Sequence, residues 1–137
     1  MPFEEISHTA DWSLRVWAAD LSTLFEDSAK GMTSLSGIRL VKKPRINRTL
    51  SISAADKESL LVSFLSELVY YAEQDHLAFD HFDLNLDLEA SQPNHLSAAL
   101  HGAHILSMDK AIKAVTYHHL HIHQSVRGYE VEIVFDV

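Results

Sequence analysis

Three carboxylates at the two ends of the chain are the groups best placed to do chemistry. Asp11 closes the segment His8-Thr9-Ala10-Asp11, and the sequence finishes Phe135-Asp136-Val137. The Asp136 side chain and the main-chain carboxylate of Val137 are neighbours along the backbone. With Asp11 they would form a hard, oxygen-only donor set, suited to Ca²⁺, Mg²⁺ or Mn²⁺ rather than a soft metal. Such a site requires a fold that brings the ends together.

Two other clusters could carry chemistry. His118, His119, His121 and His123 crowd one stretch. If that stretch is a strand, alternation places His119, His121 and His123 on one face, and histidines at i and i+2 can hold Zn²⁺. A stand-alone metal-dependent hydrolase using that face is one functional alternative, although a polar outer strand face explains the pattern more simply. Asp80, Asp83, Asp87 and Glu89 form the second cluster. Paired carboxylates can do acid–base work, but a charged sheet face explains these more simply. The sequence has no P-loop, G-x-G-x-x-G, G-x-S-x-G or H-E-x-x-H pattern, and nothing local supports an activated nucleophile. Read from residues alone, the chain is a non-catalytic binding or accessory module.

The composition narrows the partners. A length of 137 residues suits one domain spanning 1–137, and 47% apolar with 22% charged residues is ordinary for a globular protein. There is no cysteine, which excludes disulfides and thiolate chemistry and fits the cytosol. The opening Met1-Pro2-Phe3-Glu4-Glu5 lacks the basic and apolar regions of a signal peptide. No apolar run approaches the roughly 20 residues that span a bilayer, so no membrane is expected. The net charge of −8 opposes strong direct binding of nucleic acid, which depends on Lys and Arg neutralising phosphates. The basic residues that do cluster, Arg39, Lys42, Lys43, Arg45 and Arg48, read as a solvated loop and strand face. Ten histidines make the charge sensitive to pH between roughly 6 and 7.

The elements that must position these groups follow from periodicity. Trp12, Leu14, Val16 and Ala18 alternate with Ser13, Arg15 and Trp17, predicting a half-buried strand. Asp20 caps a helix carrying Leu24, Phe25, Ala29 and Met32 at helical spacing, with Gly37 as its stop. A strand through Ile46, Leu50 and Ile52 precedes a second helix, capped by Asp56 and striped by Leu60, Leu61, Phe64, Leu65, Leu68, Tyr71 and Ala72. Phe82, Leu84, Leu86 and Leu88 then alternate with His81, Asp83, Asn85 and Asp87. A turn around residues 91–94 leads to a return strand over 96–103, followed by strands over 115–123 and 129–135, with Gly128 in the turn between the last two. Two helices and a terminal run of strands predict an α+β two-layer sandwich, with the helices packed on one face of a mainly antiparallel sheet of about six strands.

Several segments resemble the archease family in order along nearly the whole chain. His8-Thr9-Ala10-Asp11 is similar to its opening H-T-A-D signature, residues 21–32 (LSTLFEDSAKGM) to its first helix and residues 60–73 (LLVSFLSELVYYAE) to its second. Residues 113–118 (KAVTYH) match its K-A-x-T-Y-H segment and Phe135-Asp136-Val137 its closing F-D-V. Ser7 stands where the family often has an acidic residue. The resemblance implies an accessory protein of RtcB-type GTP-dependent RNA ligases in tRNA splicing and RNA repair, one that promotes ligase guanylylation and multiple turnover. It also implies a divalent cation, Ca²⁺ first, held by Asp11, Asp136 and Val137. It further implies an activation or partner surface at Lys113, Tyr117 and His118. A broader chaperone-like role in binding proteins is the remaining alternative.

Overall fold

Two carboxylate caps start the helices where the sequence places them. In the computed structural model, which describes residues 2–7, 12–88 and 93–137, Asp20 Oδ1 accepts the Thr23 N–H at 2.8 Å and opens α1 (Leu21–Ser36). Gly37 ends α1 in the left-handed conformation at φ 65° and donates its N–H to Ser34 O, a geometry that favours a residue without Cβ. Asp56 Oδ1 accepts the Ser59 N–H at 2.7 Å and opens α2 (Lys57–Tyr70). The helix then widens into one π turn (Tyr71–Asp75) and closes at His76, φ 54°.

Among the described residues, nine strands accompany the helices: β1 (Phe3–Ser7), β2 (Trp12–Ala18), β3 (Arg39–Leu40), β4 (Ile46–Ala54), β5 (Leu77–Asp87), β6 (Asn94–Ser107), β7 (Ala114–Thr116), β8 (His123–Ser125) and β9 (Gly128–Asp136). All their pairings are antiparallel. The α+β architecture with mainly antiparallel strands is as expected, and the strands form two sheets. One sheet runs β1-β2-β9-β7 with β8 also on β9; the other runs β3-β6-β4 with β5 also on β6. Alternation reveals that a segment is a strand and which face is apolar. It does not reveal which strand it pairs with, because that choice depends on residues far apart in sequence.

The helices press their apolar stripes onto the sheets. Leu24, Phe25 and Ala29 of α1 and Leu60, Leu61, Phe64 and Leu65 of α2 are fully buried. Phe64 joins the layers, stacking on Phe25 and meeting Phe82 edge-on, each at 6.2 Å between ring centroids. Ser13 departs from its expected solvated position and is 1% exposed.

The histidine-rich stretch corrects the expected strand over 115–123. Only 114–116 and 123–125 are extended, and His119 between them sits at φ 53° in a turn. His119 therefore does not share a strand face with His121 and His123. Its ring packs on His118 at 4.1 Å, whereas the His121 and His123 rings stack on each other at 5.9 Å. Gly128 begins β9 at φ 101°, and the turn itself is 126–127. The predicted turn around 91–94 and Glu89 fall largely outside the described residues.

The acidic caps lead to a measurable prediction. Asp56→Ala removes the acceptor for the Ser59 N–H and is expected to cost about 1 kcal/mol of stability by denaturant titration. The Asp56 carboxyl lies below its ordinary pKa because the Ser59 backbone N–H, and then its hydroxyl, bond the charged form. Asp80 is lowered chiefly by its hydrogen bonds from Arg45. A folded-state pKa below the unfolded value gives stabilisation that is complete above about pH 4 and lost as pH falls through the folded value. Asp27, raised chiefly by burial, acts in the opposite direction. Stability measured from neutral pH downward should therefore fall below about pH 4, with a shallower fall in Asp80→Asn.

Candidate functional site

The expected convergence of the chain ends rests on β9, which lies between β2 and β7. Phe135 pairs with Trp12 on one side and Val115 on the other. One residue further along β9, Asp136 pairs with Ala114, and the Lys113 N–H donates to the Asp136 main-chain oxygen at 2.8 Å. The long apolar side chains build this corner: Phe135 is fully buried, Val115 is nearly so, and Trp12 and Val137 pack half-buried against the same core. That burial fixes the register, since a slip of one residue would turn Phe135 outward and Asp136 inward.

The resulting edge exposes polar groups. Asp136 and Lys113 are exposed, and among the described residues the Asp136 carboxylate enters no hydrogen bond or ion pair. An exposed carboxylate is the kind of oxygen donor that a hard divalent cation takes. Asp11, the third expected ligand, lies outside the described residues. Tyr117 and His118 occupy the far end of β7, where Thr116 Oγ1 donates to Val134 O at 3.0 Å and accepts the His118 N–H at 3.3 Å. Tyr117 is 58% exposed, unusual for an aromatic ring.

Lys113 also borders a cavity of about 490 Å³ between the C-terminal halves of α1 and α2, β5 and the 108–113 segment. Met32, Leu68, Phe79, Phe82 and Met108 give it apolar walls, and Glu73 and His76 join Lys113 among its polar lining. Sequence reading did not anticipate this space, because its walls come from four separated segments. The basic cluster resolves into separate pairs: Arg45 is held by both Asp80 oxygens, and Arg39 lies 3.7 Å from Asp109.

Residues 3–137 match the model of the archease protein family. The chain belongs to the archease family. The archease of Methanosarcina barkeri is 29% identical over 98% of this chain and 95% of its own length. That of Thermococcus gammatolerans is 30% identical over 92% and 91%. Among solved structures, Methanobacterium thermoautotrophicum protein 1598 superposes with a TM-score of 0.78 at 24% identity, covering 99% of each chain. A Thermotoga maritima protein described as an archease and possible chaperone gives 0.68 at 19%, covering 98% of this chain and 96% of its own. These two establish the archease fold for the chain.

The archease fold also assembles residues that sequence reading dispersed. Among the described residues, one trio of His, Asp or Glu side chains brings a donor atom from each within 4.8 Å of the others: His81, Asp83 and His101. The i, i+2 spacing of His81 and Asp83 was visible in the sequence, but their pairing with His101 on β6 was not. The expected His119, His121 and His123 face forms no such trio. Instead, His121 Nδ1 lies 3.5 Å from Glu58 and His123 Nε2 3.8 Å from Glu130.

Proposed function

We propose that this archease-family chain is an accessory protein rather than a catalyst. In this reading it stimulates guanylylation and multiple turnover of an RtcB-type RNA ligase in tRNA splicing or RNA repair, in the cytoplasm. The observation that carries the reading is the pairing of β2, β9 and β7. It sets the residue after Asp11 opposite the residue before Asp136, and bonds Lys113 to Asp136 through the backbone. Two of the segments that resemble the family, 113–118 and 135–137, thereby lie side by side, next to the strand that follows the third.

In this reading Asp11, Asp136 and the main-chain oxygens of Val137 hold a divalent cation, Ca²⁺ first and Mg²⁺ or Mn²⁺ otherwise. When bound, it supplies positive charge and ties the two ends. Lys113, Tyr117 and His118 face the ligase. Stimulation requires these contacts to favour the guanylylation-competent ligase over its other conformations. The net charge of −8 suits a protein partner better than RNA.

The test is the rate of ligase–guanylate formation with a cognate ligase. Lys113→Ala and Asp11→Ala, both confirmed as folded, are each expected to lose at least tenfold of the stimulation, about 1.4 kcal/mol. Full stimulation by both variants would remove this edge from the mechanism. A broader chaperone-like role predicts instead that many unrelated proteins are captured and that both variants retain that capture.

A further inference from the structure

The strongest unassigned feature is on the outer face of the second sheet, away from the chain-end edge. There β5 and β6 present His81, Asp83 and His101. A bulge creates the arrangement. Phe79 pairs with Gly102 and His81 with His101, so Asp80 is the extra residue on β5. Without it, His81 would share the inward face of Phe79. With it, Phe82 turns into the core and His81 and Asp83 turn out beside His101, the re-aiming that bulges perform. Asp80 itself is held away by Arg45, whose Nη1 and Nη2 donate to its two oxygens.

The distances leave the three groups close together without closed hydrogen bonds. His81 Nε2 lies 3.5 Å from Asp83 Oδ1 and His101 Nε2 3.4 Å from Asp83 Oδ2. Both exceed the usual N–H···O range of about 2.7–3.2 Å. Each is close to the ligand-to-ligand edge of about 3.4 Å around a tetrahedral ion with bonds near 2.1 Å, the two running to different Asp83 oxygens, and one donor atom from each residue lies within 4.8 Å of the others. The Asn47 contact is compatible with this. His101 Nδ1 lies 2.7 Å from Asn47 Oδ1. In the tautomer that donates from Nδ1 to that amide oxygen, Nε2 is left free to bind a metal on the Asp83 side. Imidazole nitrogens on both sides of one carboxylate are a donor set that a divalent cation can bridge. A histidine oriented through its other nitrogen by an oxygen acceptor is the usual support of a metal ligand.

We propose that His81, Asp83 and His101 form a transition-metal site for a Zn²⁺-class divalent ion. Two imidazoles and one carboxylate select a borderline metal over Ca²⁺, which separates this site chemically from the oxygen-only edge at Asp136. The three side chains are 64%, 67% and 35% exposed, so the remaining coordination positions open to water.

The experiment is Zn²⁺ titration of the full chain by calorimetry, with histidine ring resonances followed by NMR. Wild type is expected to bind one equivalent with early shifts at His81 and His101. Asp83→Asn and His101→Ala each weaken binding by at least tenfold, and Asn47→Ala weakens it by about tenfold. The exposed positions leave the fold intact, which circular dichroism checks. His121→Ala with His123→Ala, and separately Asp136→Asn, keep wild-type affinity. Absence of saturable Zn²⁺ binding by wild type, or unchanged affinity in Asp83→Asn and His101→Ala, would overturn the site. Loss of binding in the His121→Ala, His123→Ala variant instead would assign the ion to that pair and also overturn it.

Discussion

Gly102→Ala is expected to destabilise the fold by about 3 kcal/mol, lowering the thermal midpoint by about 12 °C at roughly 4 °C per kcal/mol. Gly102 is a central residue of β6, paired with Ile46 on β4 and Phe79 on β5. A Cβ at this position would stand 1.9 Å from the Ala78 carbonyl oxygen and 2.7 Å from the Phe79 Cα. Both are backbone atoms at the approach to the bulge, so no side-chain rotation relieves the contact. Either β5 shifts away from β6 or the bulge is lost. Loss of the bulge would return His81 to the inner face, so the variant should also lose Zn²⁺ affinity. Ala99→Ser, on the outer face of the same strand, is the control and should stay within about 0.5 kcal/mol of wild type. A Gly102→Ala midpoint close to that of the control would mean that β5 does not pass this near to β6.

Asp136→Ala should have the opposite profile, with little loss of stability and a large loss of function. Its side chain is exposed, and the bonds that hold it belong to the backbone: the strand pairing to Ala114 and the Lys113 N–H. Neither needs a carboxylate, so the melting curve should stay within about 0.5 kcal/mol of wild type. If Asp136 is a cation ligand, removing one anionic oxygen donor should weaken Ca²⁺ binding by at least tenfold, about 1.4 kcal/mol. Ligase stimulation at limiting Ca²⁺ should fall in parallel. Residues appended after Val137 should weaken Ca²⁺ in the same direction, because they replace a charged main-chain carboxylate by a neutral amide. Unchanged Ca²⁺ affinity in both variants would exclude the chain-end site while leaving the Zn²⁺ proposal standing.

Local chemistry was legible wherever one residue and its near neighbours suffice. Asp20 and Asp56 cap helices because a short carboxylate next to free N–H groups is favourable in any fold. Gly37 stops α1 because its left-handed conformation suits a residue without Cβ. The apolar stripe from Leu60 to Leu68 and the alternation from Phe82 to Leu86 fixed which faces are buried, as solvent sorts side chains at the helix and strand periods. The resemblance carried by H-T-A-D, K-A-x-T-Y-H and F-D-V was legible in the same direct way. The histidine stretch failed because 118–122 has the composition of a strand face but turns at His119, and nothing local marks a left-handed histidine.

Tertiary structure alone decided how those pieces meet. The sequence could state that Asp136 ends a strand, but only the pairing of β9 between β2 and β7 put it beside Lys113 and opposite the strand that follows Asp11. The sequence could place His81 and Asp83 together on the wet face, but only the pairing of β5 with β6, shifted by the bulge at Asp80, set His101 beside them. Periodicity reports each segment's own exposure. Register and partner choice are set by contacts between segments distant in the chain, where the burial of residues such as Phe135 and Phe79 selects one alignment over its neighbours.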